Sequence, residues 1–294
     1  MTTELKGLTL AIISAVLYGS LPLFGLQITD AGLSNEAMLF WRFFSSFLLL
    51  AVLFPSSVFL LKQTAITGFL LAVFGYVISS FFFFECTGYI GTGIAMTVFF
   101  IYPIFLALMN YFILKETLPT PQKIGMALAF CALLFLTDFK FDIKGDVFIG
   151  FAYGIFGGMG YALYIFCTRS TGLKAITLTA WVCLGAAVFF AVHSVFNNAF
   201  VFPPMRAGLS LAAISILCTI LPIIFFIKAV NLIGSIKASL VSILEPATTI
   251  SLGMIFLGER ITWCQGVGLV FMIVSLIAIE CNHLFRRRDH ASTP

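Results

Sequence analysis

Charge is scarce in this sequence. Asp, Glu, Lys and Arg make up 10% of its 294 residues, where a soluble domain carries roughly 25%. That excludes an ordinary soluble domain. A hydrophobic content of 61% and a mean hydropathy of +1.12 leave a polytopic membrane protein. Histidine is nearly absent, with only His193, His283 and His290, and the seven cysteines form no CxxC pair. Cys131, Cys183 and Cys218 fall inside apolar segments, where a thiol behaves as a small hydrophobe, so neither a metal site nor a disulfide framework is expected. No HExxH, GxSxG or GxxxxGK[ST] pattern occurs, which argues against an enzyme and against direct ATP coupling. We expect no cofactor and no metal. The net charge of +4 is small and does not suggest nucleic acid. Arg286, Arg287 and Arg288 read as an anchor on an anionic membrane surface.

Long polar connections are missing as well. Crossing a bilayer takes about 17–25 apolar residues, and apolar stretches between polar breaks yield ten such spans. They lie at about 7–28, 36–54, 66–84, 93–114, 121–137, 146–168, 175–196, 208–227, 236–257 and 261–284. No loop has room for a soluble domain, and the first stretch is too long for a signal-peptide core. With the N-terminus in the cytoplasm, eleven Lys and Arg fall inside, and four (Lys140, Lys144, Arg206 and Arg260) fall outside. This positive-inside bias predicts a multi-pass protein of a bacterial inner membrane with both termini cytoplasmic.

What is present is a repeat. Residues 91–125 and 234–268 match at a constant offset of 143: Gly91 with Gly234, Pro103 with Pro246, Glu116 with Glu259, Gly125 with Gly268. The small residues Gly7, Ala11, Ala15 and Gly19 recur as Gly150, Gly154, Gly158 and Ala162. The expected organisation is a first five-helix unit over 5–137, a second over 146–284 and a basic tail over 285–294. Five is odd, so the second unit enters the membrane from the opposite side. The fold class is thus an all-α polytopic membrane protein of ten helices in two inverted repeats, a common build of secondary transporters with substrate sites near the midplane.

The stretches SILEPATTISLGMIFLGERIT and FFIYPIFLALMNYFILKETLPTPQKIG, with the pair Tyr18–Gly19 in the first span, carry a family resemblance. The chain resembles the drug/metabolite transporter superfamily, specifically the ten-helix EamA-type exporters, over residues 5–284. The resemblance implies a central pore between two five-helix halves and export of small metabolites or drugs without ATP. The copies differ at Tyr102-Pro103 against Glu245-Pro246, so the site is asymmetric in charge.

Candidate substrate-binding residues follow from what is costly or chemically useful in lipid. Arg42 lies about six residues into the second span, roughly 9 Å deep at 1.5 Å per residue, where a charge is expensive and reads as functional. It either binds an anionic substrate group or snorkels outward, and Trp41 beside it suits both. Glu245 stands mid-span before Pro246, which frees a carbonyl and kinks the helix. It would attract an amine, carry a proton, or stay neutral against a neighbour such as Ser242. Tyr102 is its counterpart. Tyr18, Tyr161 and Tyr164 could line a central cavity, where rings hold cations by their π-faces. Glu85, at the outer end of the third span, its counterpart Lys228 and the intramembrane His193 are gate or proton-coupling candidates. Gly7, Gly19, Gly150, Gly154 and Gly158 are assigned to close helix packing, and Glu116 and Glu259 to helix N-termini.

The expected function is secondary export of small amphipathic metabolites such as amino acids, with a carrier of organic cations or drugs as the alternative and a non-transporting scaffold as a remote one. The expected partners are a small-molecule substrate and membrane lipid, with the chain a monomer or a homodimer.

Overall fold

The computed structural model describes residues 2–59, 66–137, 146–258 and 260–280. The basic tail, His283, His290 and Glu259 lie outside the described residues. Ten long helices follow one another: α1 Thr3–Asp30, α2 Asn35–Leu53, α3 Ile66–Thr92, α4 Ile94–Leu114, α5 Thr120–Leu136, α6 Val147–Arg169, α7 Ala175–Phe196, α8 Met205–Ile233, α9 Ser235–Leu257 and α10 Trp263–Ile279. Eight are long and apolar enough to cross a membrane, and α5 and α10 are shorter apolar helices. One further turn, Pro55–Phe59, follows α2. No strand occurs among the described residues. In lipid this is dictated by hydrogen bonding, because a helix satisfies its backbone internally.

Local chemistry sets the ends. Thr2, Ser34 and Asp146 accept from the first free N–H groups of α1, α2 and α6, as N-caps do. Gly91 (φ 74°, ψ 159°) kinks the chain at the end of α3, just before α4, and Gly234 (φ 85°, ψ 157°) separates α8 from α9. These positive φ values suit a residue without Cβ. Lys115 (φ 58°) and Gly258 (φ 69°) end α4 and α9 in the same left-handed conformation. Each of these two pairs obeys the 143-residue offset.

The third span is longer than the apolar pattern suggests. Glu85 lies within α3, seven residues before its end at Thr92, rather than at a helix terminus. A lone half-buried carboxylate leaves the backbone ladder intact, and the break comes at Gly91 instead.

Packing repeats the symmetry. A methyl on Gly7 would strike Ile233 and Leu232, and one on Gly150 would strike Ile90 and Tyr89. The α1·α8 and α6·α3 contacts are therefore the same contact made twice. Likewise Gly125 meets Ser275 and Ile279, and Gly268 meets Ala132 and Leu136, joining α5 to α10. Lipid offers no hydrophobic drive between helices, so close approach at small residues supplies the packing energy. The pair α2·α7 crosses the pseudo-twofold axis and is tied at both ends. On the face opposite the start of α1, the Trp41 indole donates to the Val201 carbonyl at 2.8 Å and Ser34 to Ala199 at 3.2 Å. On the face holding the start of α1, Trp181 donates to Val58 at 3.1 Å and Thr177 to Ser57 at 2.6 Å. Val58 and Val201 are themselves repeat partners. The first helix of each half thus packs against the third helix of the other, and the buried core runs continuously through both halves.

Candidate functional site

The site is assembled where proline frees backbone inside the bundle. An α-helix pairs each carbonyl with the N–H four residues on. Pro222 has no N–H, so the Cys218 carbonyl loses its partner. The helix widens there into a π segment, Ile216–Ile220, in which the Thr219 hydroxyl donates to the Ile214 carbonyl at 2.9 Å. Arg42, only 6% exposed, docks onto this widened turn. Its Nε donates to Thr219 Oγ1 at 2.7 Å and its Nη2 to the Cys218 carbonyl at 3.3 Å. The guanidinium also lies 4.9 Å from the centre of the Phe43 ring. Neither an ion pair nor an acceptor for Nη1 occurs among the described residues.

Beside Arg42 stands a cluster of tyrosines drawn from four helices: Tyr18 on α1, Tyr76 on α3, Tyr102 on α4, and Tyr161 and Tyr164 on α6. Tyr161 occupies its centre, with ring centroids 4.8 Å from Tyr102, 5.7 Å from Tyr164 and 6.4 Å from Tyr76. Phe99 (5.4 Å) and Phe226 (6.4 Å) complete its surroundings. Tyr76 contacts Tyr164 at 5.1 Å and Phe43 at 5.9 Å, which links the rings to the arginine. The Tyr102 hydroxyl donates to the Ser239 carbonyl on α9 at 3.1 Å. The Tyr164 hydroxyl is buried with no hydrogen-bond partner among the described residues.

Glu245 enters from α9, one residue before Pro246 and half-buried. Its carboxylate has no hydrogen bond or ion pair among the described residues. It lies within electrostatic reach of Arg42, Tyr76, Tyr102 and Tyr161, and Arg42 acts in turn on Tyr18 and Tyr76. A fixed cation from one repeat and a carboxylate from the other thus face a common ring-lined centre without pairing. Such a site can bind a carboxylate, an ammonium and an apolar body together.

The structure brings Arg42, Glu245, Tyr18, Tyr102, Tyr161 and Tyr164 to one place and leaves the other candidates elsewhere. Trp41 turns away to Val201 and packs among Phe40, Phe44, Phe200 and Phe202. His193 ends α7 against Asn197, Phe81 and Phe189. Glu85 is half-buried on α3, and Lys228 is exposed on α8. Glu116 pairs with Arg169 at 3.4 Å across exposed surface, while Pro119, which precedes α5, gives it no side-chain cap. Gly19 and Gly158 touch the site from behind. A methyl on Gly19 would sit 2.7 Å from the Glu245 carbonyl, and one on Gly158 would sit 3.1 Å from that of Phe99. A methyl on Gly154 would sit 2.6 Å from Val98 Cγ1. Among the described residues no cluster of His, Cys, Asp or Glu could hold a metal.

Sequence reasoning missed Tyr76, Thr219 and Phe43. A signal existed for the first two. Tyr76 and Thr219 are repeat partners that differ in chemistry, as Tyr102 and Glu245 are.

Ten apolar helices in two inverted halves, closing on a buried polar centre, define a multi-pass membrane transporter. The chain belongs to the EamA-like transporter family, whose model matches residues 5–138 and 148–280. A relative from Synechocystis sp., the uncharacterized transporter sll1319, is 26% identical over 204 residues. That match covers 65% of this chain and spans 60% of the relative's length. A solved crystal structure of a protein shares the fold with a TM-score of 0.81, covering 96% of this chain and 98% of the other at 15% identity.

Proposed function

We propose that the protein is a secondary active exporter of small amphipathic metabolites, amino acids above all, working by alternating access around the tyrosine-lined centre. One observation carries the reading. Arg42 and Glu245 come from opposite repeats, face the same buried centre and do not pair with each other. A zwitterion complements them, with its carboxylate on Arg42 and its ammonium towards Glu245. The rings of Tyr76, Tyr161 and Phe226 would take a bulky apolar side chain. Two units of one fold, 5–137 and 146–284, can exchange conformations, so each open state has a partner related by the pseudo-twofold axis. The charge bias of the loops favours a bacterial inner membrane with both termini cytoplasmic.

The test is flux in proteoliposomes over a panel of amino acids and amines, with and without a pH gradient. Bulky zwitterions such as L-leucine are expected to move, and Arg42→Gln and Glu245→Gln are each expected to cut that flux at least tenfold. Leucine flux left intact by Arg42→Gln would remove the main support. Carriage of organic cations is the second reading, favoured by the aromatic rings gathered within reach of Glu245. It predicts amine flux that depends on Glu245 and not on Arg42.

A further inference from the structure

Three differences between the repeats coincide at one helix crossing. Arg42 on α2 corresponds to Gly185 on α7, Thr219 on α8 to Tyr76 on α3, and Pro222 to Ser79. In the version of the crossing without Arg42, a methyl on Gly185 would already lie 2.5 Å from Val73 Cγ1, and no polar side chain takes the place of Arg42. In the other version the π segment widens the turn, Pro222 frees the Cys218 carbonyl, and Arg42 fills the space. The arginine and the altered turn therefore form one device.

The way the guanidinium is held matters. Arginine presents two forks, one made by Nε and Nη2 and the other by Nη1 and Nη2, either of which can grip a carboxylate with two parallel hydrogen bonds. Thr219 Oγ1 at 2.7 Å and the Cys218 carbonyl at 3.3 Å occupy the first fork. Neither acceptor is a carboxylate, so the positive charge is oriented without being neutralised. The second fork is left for an anion.

We infer that Thr219 is a positioning residue for substrate selection. With the Pro222-freed carbonyl of Cys218, it fixes Arg42 so that the Nη1–Nη2 fork meets the substrate carboxylate. The inference rests on the proposed reading of Arg42 as the carboxylate site. A residue acting in this way sets affinity for substrates that carry a carboxylate and has little effect on those that lack one.

The experiment compares L-leucine with 3-methylbutylamine, which is the same molecule without the carboxylate, as substrates of the full-length protein in proteoliposomes. Thr219→Val removes the acceptor at nearly constant volume. It is expected to raise the KM for leucine about tenfold, with kcat within twofold, and to raise the KM for the amine far less. Thr219→Ser, which keeps the hydroxyl, is expected to bring the leucine KM back towards the wild-type value. Pro222→Ala returns an N–H to compete for the Cys218 carbonyl and is expected to shift the leucine KM in the same direction as Thr219→Val. Equal losses for both substrates, or a fall in kcat with KM unchanged, would mark Thr219 as merely structural and overturn the inference. If Arg42→Gln abolishes leucine transport while Thr219→Val leaves its KM unchanged, positioning fails and the reading of Arg42 stands. If Arg42→Gln leaves leucine transport intact, or the wild-type protein carries no leucine, that reading fails and takes this inference with it.

Discussion

Gly19→Ala adds a single methyl where α1 crosses α9, and its effect can be worked from the contacts. The new Cβ would stand 2.6 Å from Thr248 Cβ and 2.7 Å from the Glu245 carbonyl oxygen. Carbon atoms settle at about 3.5–4.0 Å, so α9 must retreat by roughly 1 Å. Neither contact atom is the end of a flexible side chain, so rotation cannot relieve the clash, and overpacking of this kind costs about 1–3 kcal/mol. The retreat also breaks the 2.9 Å hydrogen bond from Thr249 to the Gly19 carbonyl. Glu245 belongs to the displaced turn. A shift of about 1 Å in a positioned group can cost on the order of 100-fold in function. The second copy carries Ala162 at the place equivalent to Gly19, and the first copy carries Tyr102 at that equivalent to Glu245. We expect Gly19→Ala to lower the thermal midpoint by several degrees, at about 2–4 °C per kcal/mol, and to reduce transport more than tenfold. Differential scanning of the purified protein and proteoliposome flux measure the two effects. A variant with wild-type midpoint and wild-type KM would refute the argument that this crossing positions Glu245.

Other perturbations test the frame around the site. Lys115 adopts φ 58° where its partner Gly258 has 69°, and a left-handed side-chain-bearing residue carries about 1–2 kcal/mol of strain. Lys115→Gly should therefore raise the thermal midpoint and Gly258→Lys lower it, by up to about 1 kcal/mol once the added freedom of glycine in the unfolded chain is counted. Lys237 is tied to Glu4 at 2.6 Å, with side chains 11% and 37% exposed. Glu4→Gln weakens that pair around a buried ammonium, whereas Lys237→Met removes the buried charge itself, so denaturation should show the first variant to be the less stable of the two by about 1 kcal/mol. Trp41→Phe and Trp181→Phe each delete one indole hydrogen bond at opposite ends of α2·α7, worth about 1 kcal/mol apiece. Because the two ends are far apart, the double variant should equal the sum of the singles within about 0.5 kcal/mol.

The transmembrane frame was legible because lipid makes it so. Apolar length, loop brevity and the repeat offset locate ten helices and their inversion without any tertiary information, since every spanning segment must close its own hydrogen bonds. What escaped was local. Glu85 looked like a helix terminus because a charge usually marks the membrane boundary, yet α3 continues for two further turns to the glycine that breaks it. Glu116 looked like a cap, but its side chain pairs with Arg169. Arg42 and Glu245 stood out because charge is rare in the spans. Tyr76 did not, because one ring among 35 Phe and 8 Tyr carries no signal of its own. Thr219 was silent for a different reason. Its role depends on a π segment created by Pro222, and a widened turn leaves no mark in hydrophobic periodicity.

Where the two copies agree and where they differ follows a physical division. Agreement persists at positions whose requirement is imposed by the backbone: the positive φ of Gly91 and Gly234, the close approaches at Gly7 and Gly150 and at Gly125 and Gly268, and the carbonyls of Val58 and Val201 that receive an indole from the other half. A change there disturbs a helix crossing that the other half must reproduce. At the centre the copies differ in side-chain chemistry: Arg42 against Gly185, Tyr76 against Thr219, Tyr102 against Glu245. These can change chemistry without moving a helix axis. Lys115 against Gly258 and Gly19 against Ala162 depart from this division, and Pro222 against Ser79 is a difference in backbone chemistry inside one copy. Pro222 lies one turn beyond the Cys218 carbonyl that receives Arg42, so the helix is altered where a buried charge needs an acceptor. The inverted repeat thus keeps a symmetric frame while the site within it is polarised, cationic on the side of α2 and α8 and carboxylate-bearing on α9.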